Sequence, residues 1–116
     1  GKLVSFMDNF DVYALFGNAI SNAIESVEKI ADKDKRCVNV IARKVADMLI
    51  IHVENYFRGD LELKDGLPVT SKDTNYHGFG MLSMKRIAEK YGGELTVSLK
   101  GDIFNLDIII PFKKAE

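Results

Sequence analysis

Asn18, Asn22, Glu25 and Lys29 follow one another at steps of four, three and four residues. On a helix these steps place all four on one polar stripe, away from the apolar residues between them. Such a stripe faces either solvent or a ligand. Glu25 and Lys29 by themselves are an ordinary i, i+4 ion pair of a solvated surface. The two asparagines need a further reason, because an Asn amide competes for backbone hydrogen bonds and is a poor helix-interior residue. A hard cation held together with phosphate oxygens supplies one: neutral amide oxygens complete a Mg²⁺ shell without adding charge beside a polyphosphate.

A second candidate is Gly78-Phe79-Gly80, after His77 and before Met81, where helical spacing begins. Glycines at a helix entrance let a ligand approach the backbone closely, and the free N–H groups and the dipole there attract phosphate. A simple tight turn is the alternative reading of this short motif.

The elements that must position these groups are written in the apolar spacing. Val12, Leu15, Phe16, Ala19, Ile20, Ala23, Ile24, Val27 and Ile30 recur at three- and four-residue steps, which predicts a core-packed helix from Asp11 to Ile30. Asp8 or Asp11 is suited to cap its start, and the charged cluster Asp32-Lys33-Asp34-Lys35 ends it in a solvated turn. Val38, Val40 and Ala42 alternate, Ala46-Asp47 turns, and the β-rich run from Met48 to Glu54 completes a hairpin. Between Arg58 and His77 periodicity lapses over about twenty residues, longer than compact domains usually tolerate without a functional reason, so the segment reads as a lid. Met81, Met84, Ile87, Ala88 and Tyr91 restore helical spacing, and Gly92-Gly93 stops it. Leu95, Val97 and Leu99, a Gly101-Asp102 turn, and Phe104, Leu106, Ile108 and Ile110 up to Pro111 predict a terminal hairpin. With the strand-like run Lys2 to Phe6, the order is strand, helix, hairpin, lid, helix, hairpin. This is an α+β domain with helices covering one sheet face.

Residues 1–116, 13.0 kDa with 47% hydrophobic residues, are enough for one core and one domain. The strand-like start reads as that of a fragment of a longer protein. Lys and Arg number 16 against 17 Asp and Glu, so nothing suggests a nucleic-acid footprint or a polybasic membrane patch, and any phosphate must be held locally. The single Cys37 excludes an internal disulfide and a cysteine metal cluster and fits a reducing compartment, so a cytoplasmic setting is expected. No apolar run approaches the roughly 20 residues of a membrane span, so a membrane would enter only through other segments of the parent protein.

Taken together, Asn18 to Glu25 resembles the N-box, and His77-Gly78-Phe79-Gly80-Met81 with Lys90-Tyr91-Gly92-Gly93 resembles the second glycine box, of GHKL-type ATPases. The resemblance covers nearly the whole chain. Within that superfamily it is closest to the catalytic domains of bacterial sensor histidine kinases of the quorum-sensing peptide-receptor type. They read Asn-Ala-Ile-Glu, here Asn22 to Glu25, and end in a Phe-containing strand finishing in Ile-Pro, here Phe104 to Pro111. The resemblance implies the Bergerat two-layer α/β sandwich, a mixed sheet with helices on one face and ATP bound under a mobile lid. It implies that Asn22 coordinates Mg²⁺, that Asn18 supports the phosphates or a metal-bound water, and that Gly78 and Gly80 offer N–H groups to the phosphates. It further implies an upstream dimerisation domain carrying the phosphoacceptor histidine, a response regulator as the next phosphoryl acceptor, and a parent in the bacterial cell membrane. The resemblance also implies that such domains commonly stay monomeric when excised, because the dimer interface belongs to the helical domain upstream.

The family's adenine-reading motif, Asp-x-Gly-x-Gly, is not matched: Val53-Glu54-Asn55-Tyr56-Phe57 puts Asn55 at the Asp position and lacks the glycines. An Asn carbonyl still accepts from an adenine amino group and its NH₂ can donate to a ring nitrogen, with less charge assistance and therefore modest affinity. Glu25 stands where many histidine kinases carry a basic residue, and Lys29, or Lys72 of the lid, is the candidate replacement. ATP-hydrolysing relatives carry a Glu one turn before the metal-binding Asn. Asn18 stands there, and an amide is no general base, so the resemblance favours phosphoryl transfer over hydrolysis. Neither His52, in a strand-like run, nor His77, beside the glycine loop, suits the phosphoacceptor role. A nucleotide-binding module without turnover and an anti-sigma-factor-type serine kinase are the alternatives.

Overall fold

The structure, a computed structural model, describes residues 6–59, 61–64, 66–68 and 74–112, and for residues 74–79 the backbone alone. Helix α1 spans Asn9–Glu28, capped by Asp8, whose carboxylate accepts from the Phe10 N–H at 2.8 Å. Every fourth residue, Leu15, Ala19, Ala23 and Val27, is buried. Ile20 and Ile24, expected in the core, are instead 39% and 46% exposed: α1 meets the sheet over a narrower face than its apolar content allows. After α1, Lys33–Lys35 form a 3₁₀ turn capped by Asp32.

Strands β1, Val38–Val45, and β2, Met48–Tyr56, form the first hairpin, with Ala46 in the left-handed region (φ 53°) at the turn. Short strands β3, Leu63–Lys64, and β4, Leu67–Pro68, pair with each other. Helix α2 spans Thr74–Lys90, and β5, Glu94–Lys100, and β6, Ile103–Pro111, form the second hairpin. The large sheet has the order β1-β2-β6-β5. The last strand is thereby inserted beside β2, joining the two hairpins. All its described pairings are antiparallel. The parallel component of the expected mixed sheet is not among them, and most of the strand expected over Lys2 to Phe6 lies outside the described residues.

The alternation of β2 and β6 sends Leu49, Ile51, Val53 and Asn55, and Phe104, Leu106, Ile108 and Ile110, to the helix side, all buried. Met81, Met84, Ile87 and Ala88 of α2 complete the core from above. Each fully buried Leu or Ile contributes about 1.5–3 kcal/mol of transfer free energy. The other sheet face has no helical layer among the described residues. The C-terminus of α2 closes with Gly92 at φ 79°, its N–H bonded to Glu89 O and that of Gly93 to Ala88 O, which is a Schellman motif. Gly93 lies against β6 so closely that a Cβ would overlap the Ile109 carbonyl oxygen and sit 2.9 Å from Ile110 Cα.

Two sequence expectations are corrected here. The helix expected near Met81 begins at Thr74, so Gly78 and Gly80 lie within α2 and not at its entrance. Of the lid expected from Arg58 to His77, the described part is the β3–β4 hairpin and the first turn of α2.

Candidate functional site

Asn18 and Asn22 stand one turn apart on α1, both half-buried. The Oδ1 of Asn18 comes within 3.3 Å of the point where a Cβ on Gly80 would lie. The absent side chain thus matters at Gly80: any larger residue would press on the Asn18 amide. The structure therefore brings the asparagine stripe of α1 together with the glycine segment of α2, the two motifs that stood fifty-odd residues apart in the sequence. Glu25, on the same stripe, is half-buried and engaged in a polar interaction. Lys29 is exposed and forms the C-cap of α1, its N–H bonded to Ser26 O. Lys72 lies outside the described residues. For His77, Gly78 and Phe79 the described feature is their helical backbone.

Met81, expected among the nucleotide contacts, is 3% exposed and lies within the core cluster that includes Leu15, Ala19 and Phe104. Its place one residue after the glycine pair in sequence is one third of a turn round the helix in space, toward the sheet.

Asn55 sits on the helix side of β2, paired in register with Phe104 on one flank and Val38 on the other. At 3% exposure it is the one buried polar residue among those described. Its Nδ2 donates to Tyr56 O at 2.9 Å, so the NH₂ group expected to read a ring nitrogen is already engaged. Its Oδ1 is buried with no hydrogen-bond partner. An unsatisfied buried carbonyl costs about 1–3 kcal/mol, so it marks a place where a donor belongs.

Two polar clusters were not legible in the sequence. The Asp11 carboxylate accepts from Lys90 Nζ at 2.7 Å and Tyr91 Oη at 2.6 Å, and the Asp8 N–H donates to Tyr91 Oη at 2.9 Å, tying the start of α1 to the end of α2. The Lys90 bond, then the Tyr91 bond, hold the Asp11 carboxyl below its ordinary pKa. On the outer sheet face His52 is clamped through Nδ1 to Asp107 at 2.6 Å and through Nε2 to Glu54 at 2.8 Å. Partial burial opposes its charged form, but the bonds to Asp107 and Glu54 outweigh it and raise the His52 pKa. Both of its ring nitrogens are occupied, as a structural histidine requires. Cross-strand partners such as Asp107 become predictable only once the β2–β6 register is known, because fifty-five positions separate the pair.

Comparison with known proteins agrees with this geometry. A family profile described as the GHKL domain matches residues 7–111. The chain is 29% identical over 115 residues to the "Probable C4-dicarboxylate sensor kinase" of Bacillus subtilis (strain 168), covering 95% of this chain and 21% of that protein. Among solved structures, the Acinetobacter baumannii histidine kinase AdeS superposes with a TM-score of 0.64 at 16% identity, over 92% of this chain and 48% of that one. The catalytic domain of histidine kinase ThkA gives 0.65 at 15% identity, over 90% of this chain and 68% of that one. The fold is that of histidine kinase catalytic domains, an α+β sandwich with its helices on one face of an antiparallel sheet. The chain belongs to the GHKL family, and it spans about a fifth of the length of the sensor kinase it matches.

Proposed function

We propose that this domain binds Mg-ATP and delivers its γ-phosphoryl group to a histidine on a separate, upstream helical domain of a sensor histidine kinase. The observation that carries the reading is the buried Asn55 Oδ1 without a partner, which suits the exocyclic amino group of adenine. With its Nδ2 engaged by Tyr56 O, Asn55 recognises adenine through the carbonyl alone, which fits modest affinity. The amide oxygens of Asn18 and Asn22 suit a Mg²⁺ shell, with Asn22 as the metal ligand and Asn18 held beside Gly80 to support the phosphates. Bound there, Mg²⁺ would neutralise charge on the phosphates. The residues of α1 and α2 would position them, and Lys29, Lys72, Glu25, His77, Gly78 and Phe79 are the further contacts we assign.

No general base stands at position 18, since an amide does not take up a proton at neutral pH. This supports transfer to a nucleophile supplied by another domain over attack by water. The same reading places the domain on the cytoplasmic side of a membrane-bound parent, with a response regulator as the next acceptor. The missing glycines after Asn55 favour a second reading, a nucleotide-binding module without turnover.

Calorimetric titration with a non-hydrolysable ATP analogue and Mg²⁺ tests the proposal. We expect a dissociation constant at or below about 1 mM, at least tenfold weaker binding in Asn22→Ala, and loss of binding in Asn55→Leu. The leucine fills the same volume and removes the unsatisfied carbonyl, so Asn55→Leu should stay folded with stability equal to or above that of the wild type. Absence of binding by the wild type at millimolar nucleotide would sink both readings. Binding without phosphorylation of the parent's histidine would leave only the second.

A further inference from the structure

Asn55 and the two residues after it act as one unit. Strand β2 continues through Tyr56, which pairs in register with Ile103 of β6. The next residue, Phe57, stands where the family's adenine-reading motif has a glycine. Its N–H donates to Asp102 O at 2.8 Å, and its ring stacks on Phe104 with centroids 5.7 Å apart. That N–H and the Tyr56 carbonyl belong to one planar trans peptide, so anchoring the first fixes the direction of the second. The carbonyl accepts from Asn55 Nδ2 at 2.9 Å, and a carbonyl oxygen can only accept. The NH₂ end of the amide is therefore held at Tyr56, and Oδ1 is the end left without a partner. Turning the amide over would set oxygen against oxygen.

We propose that this amide, locked by the Tyr56 carbonyl, is a one-way reader: it selects purines with an amino group at position 6, rejects those with an oxygen there, and is not replaceable by the carboxylate of the family's motif. The inference rests on the Mg-ATP reading above. An unlocked amide serves either base, since it can offer its oxygen to an amino group or its NH₂ to a carbonyl. The locked one offers oxygen alone. A 6-oxo base in the same pose brings its own oxygen against Oδ1, and its N1–H reaches Oδ1 only if the base slides from the place its ribose and triphosphate hold. A carboxylate at position 55 would have no donor for the Tyr56 carbonyl. It would also sit in a site 3% exposed, between the uncharged register partners Val38 and Phe104, where an unpaired charge is strongly disfavoured. The amide is thus matched to the glycine-free segment that follows it, because it supplies the donor that a fixed carbonyl demands. Oδ1 is closed off from solvent, so a base reaches it by displacing what covers it, a cost in keeping with modest affinity.

Calorimetric titration of the domain with Mg-ATP and with the Mg complex of inosine triphosphate, the 6-oxo counterpart, tests this. ATP should bind at least about tenfold more tightly. Asn55→Asp should bind ATP at least about tenfold more weakly than the wild type near pH 8, and recover most of that loss near pH 5.5. Burial pushes the pKa of the introduced carboxyl up, and once protonated its O–H donates to Tyr56 O while its carbonyl stands in for Oδ1. Taking the ratio of variant to wild type at each pH cancels the titration of ATP and of groups common to both proteins. A merely structural defect would not heal on acidification. Affinities for the two nucleotides within about threefold, or an Asn55→Asp variant that binds ATP as tightly as the wild type near pH 8, overturn the inference and leave the Mg-ATP reading standing. Absence of binding of either nucleotide at millimolar concentration overturns both. If Asn55→Asp does not fold, the comparison of the two nucleotides on the wild type decides alone.

Discussion

His52 shows how one residue links sheet register to pH. It is held from both ring nitrogens by carboxylates, Asp107 across the β2–β6 pair and Glu54 on its own strand. A histidine whose folded pKa is raised above the unfolded value near 6.5 stabilises the fold fully below that value. It loses the contribution as pH rises through the folded pKa. We therefore expect urea-denaturation midpoints of the wild type to fall between pH 6 and pH 8.5 by more than those of His52→Gln. Equal pH dependence in the two proteins would show that the clamp does not couple to folding. Asn55 is the residue-scale counterpart at the candidate site: its type and position at a strand end were visible in the sequence, but its unpartnered oxygen was not. Which half of an amide is satisfied depends on the backbone carbonyl beside it, here that of Tyr56.

At the scale of elements, periodicity was a good guide wherever one face is buried. The buried stripe of α1, both long hairpins with their turns, and the glycine stop of α2 follow from spacing and turn chemistry, and the structure has them. The start of α2 did not follow. Two glycines in three residues argue against helix, at about 1 kcal/mol each, yet α2 runs through Gly78 and Gly80. The contact of Gly80 with Asn18 supplies the physical reason: a small residue lets the two helices approach where any Cβ would press on the amide. Spacing likewise put Ile20 and Ile24 in the core, because a helix with two apolar stripes carries one wide apolar signal. Gly93 offers the sharpest test at this scale. Its Cβ position is taken by β6 backbone, which has no rotamer to yield, so Gly93→Ala should cost about 3 kcal/mol. Gly92→Ala, strained only by its positive φ, should cost about 1 kcal/mol. Chemical denaturation would measure both, and a smaller loss at Gly93 than at Gly92 would contradict the packing described.

Over the whole molecule, the candidate site draws Asn18 and Asn22 from α1, Gly80 from α2 and Asn55 from β2, and these elements share a single core cluster. A ligand that touches all three is bound by the folded state and not by the unfolded chain, so its binding free energy adds to global stability. At tenfold excess over the dissociation constant the gain is about 1.4 kcal/mol, enough to raise the melting temperature by about 6 °C in a domain of this size. Because the asparagine pair offers only neutral oxygens, the proposed reading has the phosphates held through the metal. Removing Mg²⁺ with EDTA at constant nucleotide should therefore abolish most of the shift, whereas Asn55→Leu should abolish it with or without metal. A melting-temperature rise that survives EDTA in full would mean that the chain grips the phosphates directly, and would move the assignment from the asparagine stripe to the basic residues Lys29 and Lys72.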